Sequence, residues 1–438
     1  METLQEHNAV GMGIAYHAQN HPEKKAIISE HGERTFKELN ENSNKFANFL
    51  RQEGLEAGDA VAILSKNRPE FLEALFGPLR IGLRITPINW HLTPEEVVYI
   101  VNNCEAKVLV CDAIFGESIE AISKELPNVM ILAVDGVHGL AKSYQETLNN
   151  HDSGNIENPE AGKSMLYTSG TTGLPKGVVH LHSHLLPTAD LYAIPYLNIS
   201  SEDVVFSAAK LFFAYGLGNA LTFPMAVGAT SILLPEPPDP KSLVTIFTEF
   251  QPTLFFGVPT LFAMLLADKL PEQNKHSIRL SVSAGEALPA NLYEKWYKFL
   301  GIKVLDGIGS TEMLHIFISN TIDNITPGAS GKPVKGYEAR LINDSGKLAP
   351  DNEIAELEVK GPSSASSYWK KPEKSSLTFK GEWTKTGDKY IRDSKGIYTY
   401  CGRADDMMKV SGQYVSPFEV EAALQTHEEV LEAAVVAN

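Results

Sequence analysis

Over residues 20 to 160 the apolar positions fall into short blocks that alternate between two spacings. Ala26-Ile-Ile-Ser29 is a brief extended run, and Gly32-Glu33 opens a turn after it. Thr35 then stands where a helix N-cap is expected, ahead of Phe36, Leu39, Phe46 and Phe49 at helical spacing, with Gly54 as the stop. Ala60-Val-Ala-Ile-Leu64 is continuously apolar, the pattern of a strand covered on both faces. Thr93-Pro-Glu-Glu96 combines a capping residue with proline at the first helical position. Lys107 to Cys111 and Met130 to Val134 are the next strands. This rhythm predicts an open, mostly parallel sheet covered by helices.

The rhythm restarts after a glycine-rich segment near 170. Val204-Val-Phe-Ser207, Ser231-Ile-Leu-Leu234, Thr253-Leu-Phe-Phe256 and Leu280-Ser-Val-Ser283 predict a second α/β layer system. From about 326 the elements shorten. Gly331 to Val334, Glu338 to Ile342, Glu356 to Lys360 and Ile397 to Tyr400 predict a small β-rich unit divided by Gly, Pro, Asn and Asp turns. A helix over Pro417 to Thr426 and a strand over Ala433 to Val436 complete the expectation.

Composition narrows the classes. The 438 residues exceed one ordinary core, and 43% hydrophobic with 21% charged residues fits a soluble globular protein. A net charge of −16 argues against a nucleic-acid binder. The three cysteines, Cys104, Cys111 and Cys401, form no C-x-x-C pair, so neither a disulfide framework nor a structural zinc site is expected, and a cytoplasmic setting fits. No apolar run approaches a membrane span, and the N-terminus lacks the features of a signal peptide.

The chemistry concentrates in Tyr167-Thr-Ser-Gly-Thr-Thr-Gly-Leu-Pro-Lys-Gly177. Glycines let backbone N–H groups wrap an anion, the hydroxyls of Thr168, Ser169, Thr171 and Thr172 add donors, and Lys176 adds a point charge. Gly170 and Gly173 supply the turns. This suits a polyphosphate. It is not a Walker A loop, because Lys176 is preceded by Pro175 and followed by Gly177. Downstream stand Ser283-Ala-Gly-Glu-Ala-Leu-Pro289, Asp306-Gly-Ile-Gly-Ser-Thr-Glu312, Trp383-Thr-Lys-Thr-Gly-Asp388 and Gly402-Arg-Ala-Asp-Asp406.

In this order the motifs resemble those of the adenylate-forming enzymes, which include AMP-forming acyl-CoA synthetases. The resemblance implies ATP, Mg2+ and CoA, with Lys176 and Thr311 at the phosphates and Glu312 as the magnesium ligand, in keeping with magnesium's preference for carboxylate and phosphate oxygens. It implies Gly285, Glu286, Ala287, Asp306, Gly307 and Ile308 beside the nucleotide, Asp388 on the ribose hydroxyls, Arg403 on the phosphates and Asp405 as a hinge. Catalysis then falls to Lys176, Thr311, Glu312 and Arg403, by positioning and charge neutralisation. His180, just after the loop, is assigned only to its support.

Peptide-synthetase members of the family carry an Asp in the region of Leu211-Phe-Phe-Ala-Tyr-Gly-Leu-Gly218 to pair with the substrate amine, and none stands here, so the resemblance argues against an α-amino acid substrate. Together with the stretch from Gly309 to Phe317 this segment looks like the benzoate-CoA ligase subgroup. That resemblance places a small aromatic acid against Ala214, Tyr215, Gly216 and Gly309, with His315 near its carboxylate. An aliphatic acid is the alternative within the class. The expected partners are the acid, ATP and CoA, with no nucleic acid and with a homodimer left open.

The implied layout is an N-terminal part over 1–404, with two α/β subdomains to about 325 and a β-rich subdomain over 326–404, followed by a hinge and the start of an α+β lid over 405–438. The family's lid carries a lysine in a Gly-Lys-rich motif, and none occurs between Asp405 and Asn438. A truncated lid is therefore expected, with nucleotide and acid binding but weak adenylation.

Overall fold

The structure is a computed structural model that describes residues 3–168, 174–268 and 275–405, and after these 407–410, 413–415, 417–424, 427, 430 and 433–435. Two large sheets carry the first three quarters of the chain. The seven-stranded sheet runs, in spatial order, Lys142–Ser143, Met130–Val134, Ala106–Asp112, Ala60–Leu64, Arg84–Pro87, Lys163–Thr168 and Lys176–Leu181. All its pairings are parallel except the last, an antiparallel hairpin. Ala60–Leu64 is buried at every position, as its unbroken apolar run predicts.

The nine-stranded sheet has a parallel centre formed by Val304–Gly309, Leu280–Ser283, Leu254–Gly257, Val204–Ser207 and Thr230–Leu233. The early strand Lys25–Ser29 belongs here, parallel to Thr230–Leu233, and not to the first sheet as its place in the chain suggests. Apolar alternation sets which face is buried but does not name a partner some 200 residues away. Gly32–Thr35 is likewise an edge strand of this sheet, antiparallel to Lys25–Ser29, where only a turn is expected. Lys332–Pro333 caps the opposite edge beside Ile316–Ser319, so this piece of the expected β-rich unit belongs to the large sheet.

Local signals fix the helices. The Thr35 side chain accepts from Glu38 N while Glu38 accepts from Thr35 N, a full capping box for the helix Phe36–Gln52. Thr93 and Glu96 repeat it for Pro94–Asn103. Each such cap contributes about 1 kcal/mol. Phe36, Leu39, Phe46 and Phe49 point into the core, and Gly54 adopts φ +80° after the helix ends.

The five-stranded antiparallel sheet, Glu338–Ile342, Ala355–Lys360, Trp383–Arg392, Phe379–Lys380 and Tyr398–Arg403, forms the smaller β unit. A two-stranded ribbon, Met408–Val410 with Gln413–Val415, and the helix Pro417–Leu424 follow. Residues 433–435 are not a strand, contrary to expectation. Among the described residues no helix is long and apolar enough to cross a membrane.

Candidate active site

A cleft of about 1040 Å3 opens where the C-terminal strand ends of the nine-stranded sheet meet the hairpin of the seven-stranded sheet and the small antiparallel sheet. Carboxyl ends of parallel strands are where open α/β sheets hold ligands. Gly285, Glu286 and Ala287 follow Leu280–Ser283 and line one wall. Gly285 has φ +91°, a conformation that suits glycine where the chain leaves its strand. Asp306, Gly307, Ile308 and Gly309 line the next strand end, and Thr311 and Glu312 follow. The Asp306 carboxyl is buried, which pushes its pKa well above the usual carboxylate range.

The hairpin register places Thr168 directly opposite Lys176, and both side chains reach the cleft. The tip carrying Ser169, Gly170, Thr171, Thr172 and Gly173 lies outside the described residues. Lys176 sits with its ammonium 4.3 Å from the centre of the Tyr368 ring. Burial lowers its pKa, partly offset by Glu312.

Tyr368 has no signal in sequence, yet it joins two motifs. Its hydroxyl donates to Glu312 Oε1 at 2.6 Å while its face covers Lys176. The segment is held there by long-range backbone bonds: Trp369 N donates to Gly177 O, and Ala365 N donates to Glu312 O. His180 adds a further tie. Its Nε2 donates to the Thr311 carbonyl at 2.8 Å, and burial depresses its pKa to about 4, so it is a neutral strut between the hairpin and the Thr311–Glu312 turn. Within that turn Leu314 has φ +68° while its side chain is buried, a backbone strain of about 1–3 kcal/mol that the surrounding packing holds in place.

Asp388 and Arg403 also meet. They are cross-strand partners in the small sheet, and Arg403 Nη1 donates to Asp388 Oδ1 at 2.9 Å and to Thr386 O at 3.2 Å. Burial raises the Asp388 pKa, with Arg403 opposing. Asp405 lines the cleft just beyond. Among the described residues no group of three or more His, Cys, Asp or Glu could hold a metal ion. Glu312, a single carboxylate beside cations, fits a magnesium ion only as a companion to phosphate oxygens.

The residues expected at the acid are placed differently. Gly309 lines the cleft, but Ala214, Tyr215, Gly216 and His315 are not among the residues that line it. Ala214 and Tyr215 are half-buried, on the short helix Ala214–Leu217. The Tyr215 hydroxyl lies 3.2 Å from both Gly257 O and Val282 O, so it is committed to the backbone, and the edge of the Phe256 ring meets its own at 6.4 Å. His315 packs against Tyr215 at 5.6 Å and against Phe223 at 4.4 Å, with Nε2 2.9 Å from Asn219 Oδ1. Burial lowers the His315 pKa to about 3, so the imidazole is neutral and offers a carboxylate no positive charge. The groups adjoin through Gly309, where a Cβ would lie 2.6 Å from His315 O.

Comparison with known proteins agrees with this geometry. Residues 14–369 match the family model described as AMP-binding enzyme. A benzoate–CoA ligase of Thauera aromatica is 44% identical over 420 residues, covering 94% of this chain and 79% of that enzyme. The crystal structure of a benzoate CoA ligase from Burkholderia xenovorans LB400 superposes with a TM-score of 0.88 at 40% identity, over 97% of this chain and 85% of that one. The anthranilate CoA ligase AuaEII, solved in complex with anthranoyl-AMP, gives a TM-score of 0.91 at 38% identity, over 97% and 84%. A family match over residues 14–369 and a relative 44% identical over most of both chains show that the protein belongs to the AMP-binding enzyme family.

Proposed function

We propose that this protein is an AMP-forming acid–CoA ligase that activates a small, benzoate-like aromatic acid. The carrying observation is the convergence of Lys176, Glu312 and Arg403 on a single cleft alongside Asp388. In the first step a carboxylate oxygen attacks the α-phosphorus of ATP, forming the acyl-adenylate and releasing pyrophosphate. In the second the CoA thiol attacks the acyl carbon, forming the thioester and releasing AMP. The substrate carboxylate is itself the nucleophile, so the protein positions and neutralises.

In this reading Lys176 and Arg403 neutralise the phosphates, and the hydroxyls of Thr168 and Thr311 donate hydrogen bonds to them. Gly285 to Ala287 and Asp306 to Ile308 flank the adenine, Asp388 accepts from the ribose hydroxyls, and Asp405 is the hinge. Glu312 would hold a magnesium ion, which supplies charge neutralisation at the phosphates when bound. A benzoate-like acid is supported by the relatives, among them benzoate–CoA ligases at 44% and 40% identity. The three buried cysteines Cys104, Cys111 and Cys401, which stand outside any disulfide, favour a cytoplasmic location.

The test is to incubate the chain with ATP and with benzoate, substituted benzoates or hexanoate, with and without CoA, and to separate the products by chromatography. AMP, pyrophosphate and benzoyl-CoA are expected, with hexanoate at least about tenfold poorer, the scale of discrimination that pocket shape supplies. ADP as product, or equal use of hexanoate, would overturn the reading.

A further inference from the structure

Lys374 lies outside every motif, on the short helix Pro372–Thr378, and it lines the cleft together with Lys176, Tyr368 and Arg403. Its position is fixed by its neighbour. Ser375 Oγ accepts from Tyr368 N at 2.9 Å and donates to Lys371 O at 2.7 Å, so the helix is bonded to the residue that carries both Lys176 and Glu312.

The cations at this end of the cleft differ in how they are compensated. Arg403 is paired with Asp388, and Lys176 rests on the Tyr368 ring. Lys374 makes no ion pair with an acid among the described residues. Around Lys176, Glu312 favours its charge, while three further cations, Lys374, Arg403 and Lys371, are near enough to disfavour it. Gathering like charges is unfavourable unless an anion is to be received. Here they gather on a chain whose net charge is −16, so the cluster is a local feature and not a general basic surface.

We propose that Lys374 binds the β- and γ-phosphates of ATP and the pyrophosphate that leaves, a role that rests on the adenylating function proposed above. Its ammonium would engage oxygens that AMP does not possess. The contact therefore favours substrate ATP over product AMP and stabilises the departing group. Lys374 is thus a binding residue for the leaving end of the nucleotide, separate from the residues that flank the adenine and ribose.

The experiment is calorimetric titration of the full chain and of its Lys374→Gln and Lys374→Arg variants, with ATP, AMP and inorganic pyrophosphate at fixed magnesium. Lys374→Gln is expected to weaken ATP and pyrophosphate about tenfold, the scale of one charge-assisted hydrogen bond, and to leave AMP within about twofold. Lys374→Arg should recover most of the loss. Equal effects on ATP and AMP, or no effect on pyrophosphate, would overturn the assignment while leaving the ligase reading intact. If the unmodified chain binds AMP but not ATP or pyrophosphate, the assignment fails as well. If it binds none of the three, the ligase reading itself falls. Lys374 is exposed on a surface helix, so neither variant threatens folding.

Discussion

Replacing Tyr368 by phenylalanine isolates the bond that joins the hairpin to the Glu312 turn. The hydroxyl donates to Glu312 Oε1 at 2.6 Å, while the ring, which phenylalanine keeps, carries the Lys176 ammonium 4.3 Å from its centre. A hydrogen bond to a charged group contributes about 1.5–3 kcal/mol, and partial exposure of Glu312 argues for the lower end. With about 1.4 kcal/mol per factor of ten, kcat/KM for ATP should fall about tenfold. If the hydroxyl orients Glu312 for magnesium, the variant should also need more magnesium for half-maximal rate, as happens when a partner that orients a ligand is lost. Tyr368→Ala removes the ring too. The lost cation contact adds about 0.5–2 kcal/mol and the buried cavity lowers stability, so a loss of about a hundredfold is expected together with a lower Tm. Pyrophosphate release measured across ATP and magnesium concentrations separates the two variants. An unchanged magnesium requirement in Tyr368→Phe would refute the claim that the hydroxyl positions Glu312.

Two further outcomes concern the framework behind the cleft. Burial holds His17 and His180 at about 4 and His315 at about 3, against an ordinary 6.5, so each is neutral in the folded state. Their stabilising contribution is complete above about pH 6.5 and is lost as pH falls towards 4, because the unfolded chain then binds protons that the folded chain excludes. At about 1.4 kcal/mol per unit, His180 alone accounts for about 3 kcal/mol across that window. Urea unfolding at pH 7.5 and 5.0 should show this, with a smaller difference in His180→Gln; an identical difference would refute it. Gly218→Ala should destabilise by about 1–3 kcal/mol despite alanine's better helix propensity, because the new Cβ would sit 2.3 Å from His315 Cδ2 and disturb its contact with Asn219. Unfolding midpoints and benzoate titration report this, and a variant matching the parent in both would show that His315 is not confined there.

What could be read from sequence was local. Thr35 with Glu38 and Thr93 with Glu96 announce helices within four residues, and the structure has both boxes. The motifs assigned to the nucleotide stood out because each compresses unusual residue types into a few positions, and the structure brings residues of each to one cleft. Long-range pairing was not legible. Nothing in Lys25–Ser29 names Thr230–Leu233 as its neighbour, and nothing around Tyr368 says that it packs on residues nearly 200 positions earlier. The acid-site expectation shows a related limit. Sequence brings Gly309 and His315 close, but not the commitment of the Tyr215 hydroxyl to two carbonyls or the burial that keeps His315 neutral.

The pairing of Asp388 with Arg403 ties the strand Trp383–Arg392 to the end of the strand Tyr398–Arg403, just before Asp405. The two groups are expected to serve different parts of the nucleotide, yet the hairpin register sets them opposite each other and joins them at 2.9 Å. Gly387 makes this approach possible. It adopts φ +77°, and a Cβ there would lie 2.9 Å from Arg403 Nη2. Its carbonyl also accepts from Ala404 N at 2.8 Å, one residue before Asp405. A nucleotide whose ribose engages Asp388 and whose phosphates draw on Arg403 therefore competes with the bond that closes this small unit. Buried acids tolerate such competition only when the lost partner is replaced. On the proposed reading the ligand would supply the replacement on both sides, hydroxyls for the carboxylate and phosphate oxygens for the guanidinium. On the proposed reading, nucleotide binding would act on the short stretch of backbone that leads into Asp405, so a hinge at that position would sense the occupied site through the bonds of Gly387 and Arg403.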